Sequence, residues 1–142
     1  MVRPDPRPRD NLFCMADFRN LVVWQKANKL SVATAEAVES IRGNAGSILR
    51  RQLLGSTFSI QSNIAEGSSK RSDREFSRYI RIALGSSTES ANHLILMHDL
   101  CLLDDSSFTD LSARLDEVGK MLSGLEKRLR GPEDAPSNSN GQ

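Results

Sequence analysis

Along the last third of the chain, Leu111, Leu115, Val118, Leu122, Leu125 and Leu129 recur at alternating intervals of four and three. That rhythm keeps one side of an α-helix apolar and marks a bundle or coiled-coil seam, predicting a helix over about Ser107 to Arg130. The same period appears three more times upstream. Val23, Ala27, Leu30, Thr34, Ala37 and Ile41 share a side of a first helix that runs from after Asn20, its expected N-cap, to about Ile41. Leu49, Leu53, Ser56, Ile60, Asn63 and Ile64 line a second helix, about Ser47 to Glu66. Phe76, Ile80, Ala83, Ser87, Ala91 and Leu94 line a third that ends near Asp99 or Leu100.

The punctuation between these runs agrees with them. "RGNAG", Arg42 to Gly46, breaks the first helix from the second. Gly67 is expected to close the second as a left-handed C′ residue. Ser72 followed by Glu75 fits a capping box at the start of the third, and "LLDDSS" turns the chain into the fourth. There is no convincing alternating strand, and no proline lies between Asp10 and Gly131. Four amphipathic helices joined by short turns predict an all-α domain, an antiparallel up-down four-helix bundle over residues 18–130. The proline-bearing segment 1–17 is expected to be a flexible leader, and the polar, low-complexity segment 131–142 a disordered tail.

Composition sharpens this picture by exclusion. With 142 residues the chain fits one domain and a modest core, packed by aliphatic and small side chains because aromatics make up only 5%. Nineteen basic residues against eighteen acidic ones leave a net charge of +1, too small a bias to indicate a nucleic-acid binder, so any basic footprint has to be local. Apolar runs of three or four residues span no bilayer, and the N-terminal stretch lacks the apolar block of a signal peptide. Cys14 and Cys101 form neither a CxxC nor a cysteine/histidine cluster. The expectation is a reduced, cytoplasmic protein.

The local footprint is on the third helix. At 100° per residue, Arg71, Arg74, Arg78 and Arg81 fall within an arc of about 80° almost opposite the core stripe. With Arg50, Arg51 and Lys70 they make a candidate RNA- or DNA-binding surface, because guanidinium forks match phosphate oxygens. A solvated face and a salt-bridged subunit contact are the competing explanations. Farther along the outer side, Ile82, Gly85, Glu89, Asn92 and Leu96 are a candidate oligomer interface. A mid-helix glycine costs roughly 1 kcal/mol relative to alanine. A second copy approaching closely accounts for both it and the outward Ile82 and Leu96. Asn63, Glu66, Gly67, Ser72 and Glu75 form a structural corner, in which Glu66 expects Lys70 or Arg71 as its partner.

Catalytic and metal chemistry find little footing. His93 and His98 diverge by about 140° on a helix, with His98 expected on the core stripe and His93 well round from it. Cys101 is expected to be a small core residue. Neither histidine follows a glutamate by three, as di-iron bundles require, and "GSSKRSD" lacks the spacing of a phosphate loop. No catalytic residue, metal site or cofactor is expected, and the chain is read as a non-enzyme.

Three stretches, "FRNLVVWQKA" from Phe18, "SIQSNIAEG" from Ser59 and "EFSRYIRIALGSSTE" from Glu75, together resemble the 23S rRNA intervening-sequence protein family. These are the S23-type four-helix bundle proteins. The resemblance covers about Phe18 to Arg130. It implies a four-helix bundle assembled as a homopentamer, with no catalytic activity established across the family. Some members are encoded within intervening sequences of large-subunit rRNA genes. A related group, the accessory variability determinants of diversity-generating retroelements, forms basic pentamers that bind nucleic acid and a reverse transcriptase. Such a partner is therefore expected here only if the gene is linked to a retroelement. One departure stands out: family members carry a basic pair after the glutamine of the second helix, whereas here Arg50 and Arg51 precede Gln52.

Overall fold

The structure, a computed structural model, describes residues 17–131. The expected flexible leader and disordered tail lie, apart from the boundary residues Asp17 and Gly131, outside the described residues. After a 3-10 turn, Phe18–Asn20, the chain forms α1 (Val22–Val38), α2 (Asn44–Ser68), α3 (Asp73–Asp99) and α4 (Asp105–Arg130). No strand occurs among the described residues. Each helix packs on the next and α1 closes on α4, giving the up-down four-helix bundle that the periodicity predicts.

The ends of α1 differ from expectation. Asn20 does not cap it; the residue belongs to the preceding turn, and α1 starts after Leu21 with no side-chain cap. Asp17 organises that turn instead, accepting from the Arg19 amide at 3.0 Å, while Phe18 and Trp24 meet edge to face at 5.0 Å. The helix also ends at Val38, earlier than Ile41, although Ile41 still inserts into the core from the turn. Gly43, at φ +89°, leads into α2, which begins at Asn44, earlier than the expected Ser47.

The second correction concerns Gly67. It does not end α2 in a left-handed conformation; it lies inside the helix, which continues to Ser68. Its missing side chain serves packing: a Cβ there would stand 2.7 Å from both Phe76 Cδ2 and Tyr79 Cβ, so α3 can approach only because this position is bare.

Aliphatic side chains fill the centre, among them Leu30, Leu53, Ile60, Ile80, Leu94 and Leu122. The α2/α3 contact, the most extensive in the bundle, adds a ladder of hydroxyls. Ser56 and Ser90 are 2.8 Å apart, Ser86 donates to Ser59 at 2.9 Å, and Thr57 lies 3.4 Å from Ser90. Small hydroxyls let the helices come close, and their bonds satisfy groups that burial would otherwise penalise. At the other end of α3, Leu102 N–H donates to Met97 O and Cys101 N–H to His98 O, both at 2.9 Å, with Cys101 left-handed at φ +56°. That is a Schellman closure. Asp104 then caps α4, accepting from the Ser107 amide at 2.7 Å, and α4 begins at Asp105.

Candidate functional site

Neither histidine sits where the spacing placed it. His93 is the buried one, 7% exposed on the α2 side of α3, with Nε2 3.4 Å from Glu89 and Nδ1 without a hydrogen-bond partner. His98 is half-buried at the α3/α4 turn, stacked on Phe108 at 4.2 Å and 2.6 Å from Asp105. Cys101 is exposed, contrary to the expected core role, because it occupies the left-handed closing position of α3. Among the described residues, no three histidine, cysteine or carboxylate side chains gather as metal ligands, and no helix is long and apolar enough to cross a membrane.

The basic candidates divide into separate groups. Arg50 and Arg51 lie near the start of α2, whereas Lys70 follows its end; at 1.5 Å per residue the two sites are about 30 Å apart. Arg50 donates to Glu39 O at 3.3 Å, tying α2 to the end of α1. Arg71, Arg74, Arg78 and Arg81 are all exposed, but Arg71 lies in the turn before the Ser72 cap, so only Arg74, Arg78 and Arg81 stand on α3 along the expected arc. Lys70 and Arg78 both stand over the Tyr79 ring, 5.1 and 5.2 Å from its centroid. Arg74 and Arg81 turn toward α4.

There they meet residues that sequence reasoning missed. A recess of about 290 Å³ is lined by Arg74, Ser77, Arg81 and Arg130. Beside it Glu126 is only 8% exposed. Its Oε1 accepts from Ser77 at 3.3 Å and lies 3.8 Å from both Arg81 Nη1 and Arg130 Nε. The sequence held one clue, the four-residue spacing of Glu126 and Arg130. Glu126, however, lies between Leu122 and Leu129 on a seam that periodicity reserves for apolar groups.

The corner holds together with a different partner. Ser72 accepts from the Glu75 amide at 3.2 Å, half of the expected capping box. Asn63 is half-buried and donates to Ser59 O and Oγ at 2.8 and 3.0 Å. Glu66 does not pair with Lys70 or Arg71; it accepts from the Tyr79 hydroxyl at 3.2 Å.

On the outer strip of α3, Ile82 and Leu96 are 46% and 42% exposed, and Gly85, Glu89 and Asn92 are also exposed. A Cβ on Gly85 would meet nothing within 4 Å. Alongside runs a matching stripe on α2, unnoticed in the sequence: Ile48, at 49% exposure, then Gly55 and Ser62 at intervals of seven. The register fixed by Ser56–Ser90 and Ser59–Ser86 brings Ile48 level with Leu96. The other side of α3 borders a groove of about 970 Å³ against α4, lined by Leu84, Ala91, Ile95, Phe108, Gly119 and Gly124 among others.

A family model described as 23S rRNA-intervening sequence protein matches residues 19–124. No curated protein matches the chain. Among solved structures, the chain is similar to a protein of unknown function from the S23 ribosomal protein family of Bacteroides thetaiotaomicron. The TM-score is 0.69 at 23% identity, over 75% of this chain and 99% of that one, a likeness of fold. The matched span runs from the turn before α1 well into α4 and takes in the three stretches that carried the resemblance, apart from Phe18 at the start of the first. The chain therefore belongs to the 23S rRNA-intervening sequence protein family.

Proposed function

We propose that the chain is a non-catalytic, cytoplasmic homo-oligomer, a pentamer of four-helix bundles, that acts as an interaction scaffold. The supporting observation is the pair of outward stripes, Ile48/Gly55/Ser62 on α2 and Ile82/Glu89/Leu96 on α3, all of them left exposed by the bundle itself. Heptad spacing is what a further helix needs in order to pack along such a surface. The two bare glycines, Gly55 and Gly85, give it room to come close. Native mass spectrometry at micromolar concentration should give the oligomer. Ile82→Glu combined with Leu96→Glu should give a helical monomer, since both positions are exposed within one chain. A wild-type protein that is monomeric under those conditions defeats the reading.

RNA or DNA binding is the second reading, favoured by three exposed arginines on α3, Arg74, Arg78 and Arg81, with Arg71 exposed in the turn just before it. Repetition around a ring would raise local charge density even for a chain of net charge +1. Affinity should fall steeply with salt, with a shallower slope once several of these arginines are replaced.

A further inference from the structure

We propose that the recess between the start of α3 and the end of α4, lined by Arg74, Ser77, Arg81 and Arg130, binds a phosphate end group, free or as a monoester. The inference stands apart from assembly, because every residue in it belongs to one chain.

Its first support is an excess of positive charge in a small space. Three guanidinium groups border about 290 Å³, and the one carboxylate among them is Glu126. Like charges so placed repel one another, and an oxyanion seated between them reverses that repulsion. The second support is unused donor capacity. Charge-assisted N–H···O bonds close to about 2.7–2.9 Å. Arg81 and Arg130 both stand 3.8 Å from the same oxygen of Glu126, so neither has closed on it. The hydrogen bond that Glu126 does accept comes from Ser77. Arg74 has no ion pair among the described residues, and each guanidinium carries five N–H donors. Glu126 thus acts as a positioning residue that draws Arg81 from α3 and Arg130 from α4 toward one point.

Charge and shape select the ligand. Three arginines less one carboxylate leave an excess of two positive charges. A phosphate end group carries about −1.5 to −2 near neutral pH and presents three acceptor oxygens. Three forks therefore meet three oxygens. A carboxylate or a phosphodiester offers two free oxygens and a single charge, and leaves one arginine unanswered. The carboxylates of Asp73 and Glu75 are on the first turn of the same helix but do not line the recess.

The test uses the full chain at low ionic strength. Titration calorimetry with inorganic phosphate should show binding that Arg74→Gln and Arg130→Gln each weaken by about tenfold or more, the loss expected for a charge-assisted hydrogen bond. Arg78→Gln, which alters the arginine over Tyr79, should leave it unchanged, with circular dichroism confirming that all three variants fold. Two oligonucleotides of one sequence, with 5′-phosphate or 5′-hydroxyl, then identify the source. Tighter binding of the phosphorylated strand points to a nucleic-acid end, and phosphate binding without that preference to a free small phosphate. No binding of phosphate, or a loss in Arg78→Gln equal to that in Arg74→Gln, overturns the site. So does equal capture of both strands that Arg74→Gln and Arg130→Gln weaken alike, since the backbone diester would then be the ligand.

Discussion

Cys101 holds a φ of +56°, a region that costs a residue with a Cβ about 1 kcal/mol and costs glycine nothing. Its side chain is exposed and free, and the backbone bonds that close α3 would survive with glycine there, so no side-chain contact repays the strain. Cys101→Gly should therefore raise stability by about 1 kcal/mol. Gly67→Ala should do the opposite. Alanine is the better helix former, but its methyl would enter the 2.7 Å approaches of Phe76 and Tyr79, an overpacking that costs roughly 1–3 kcal/mol. Urea denaturation of the two variants beside the wild type reads both signs. They also show where sequence reading stops at single positions. A glycine near a helix end and a cysteine near another invite the reading of closing residue and core residue. The fold exchanges these roles, because what decides them is the distance between α2 and α3 and the backbone path after Asp99.

At the level of the helices, the aliphatic period placed all four and the bundle followed from it. Local chemistry placed the start of α3, where Ser72 binds the Glu75 amide. What the period missed is the breadth of the buried face of α3. That helix is covered by α2 as well as by the core, and the α2 side is packed with Ser86, Ser90 and His93. Polar side chains carry no hydrophobic signal, so the arc drawn from apolar positions was centred too far from α2 and exchanged the surroundings of His93 and His98. The start of α4 yields a pH-dependent prediction. The Ser107 amide donating to Asp104, with a smaller raising effect of desolvation against it, holds the Asp104 carboxyl below its ordinary value of 3.8. A lowered folded-state value means the charged cap adds stability above about pH 3.8, and that contribution disappears as pH falls through the lower folded value. Asp104→Asn keeps an acceptor but not the charge. Thermal melts of the two proteins should differ most at neutral pH and converge in acid; a constant offset would count against the charged cap.

For the whole molecule, the question is whether the outer strip of α3 meets water or a second copy, and Gly85 separates the two cases. In one chain nothing lies within 4 Å of where its Cβ would be, so Gly85→Ala adds helix propensity of roughly 1 kcal/mol and no clash. Gly124, on α4 across the groove that it and Gly85 both border, is just as open and serves as the control for the second helix. Assembly stabilises the folded chain by mass action, which makes the melting temperature rise with protein concentration. If copies pack over Gly85, a methyl there holds them apart. Gly85→Ala should then melt higher than wild type when dilute and lose that advantage as concentration rises, whereas Gly124→Ala should keep its gain throughout. A Gly85→Ala protein that tracks Gly124→Ala at every concentration would mean that the strip meets solvent, and that Ile82 and Leu96 are isolated surface residues of a bundle complete in itself.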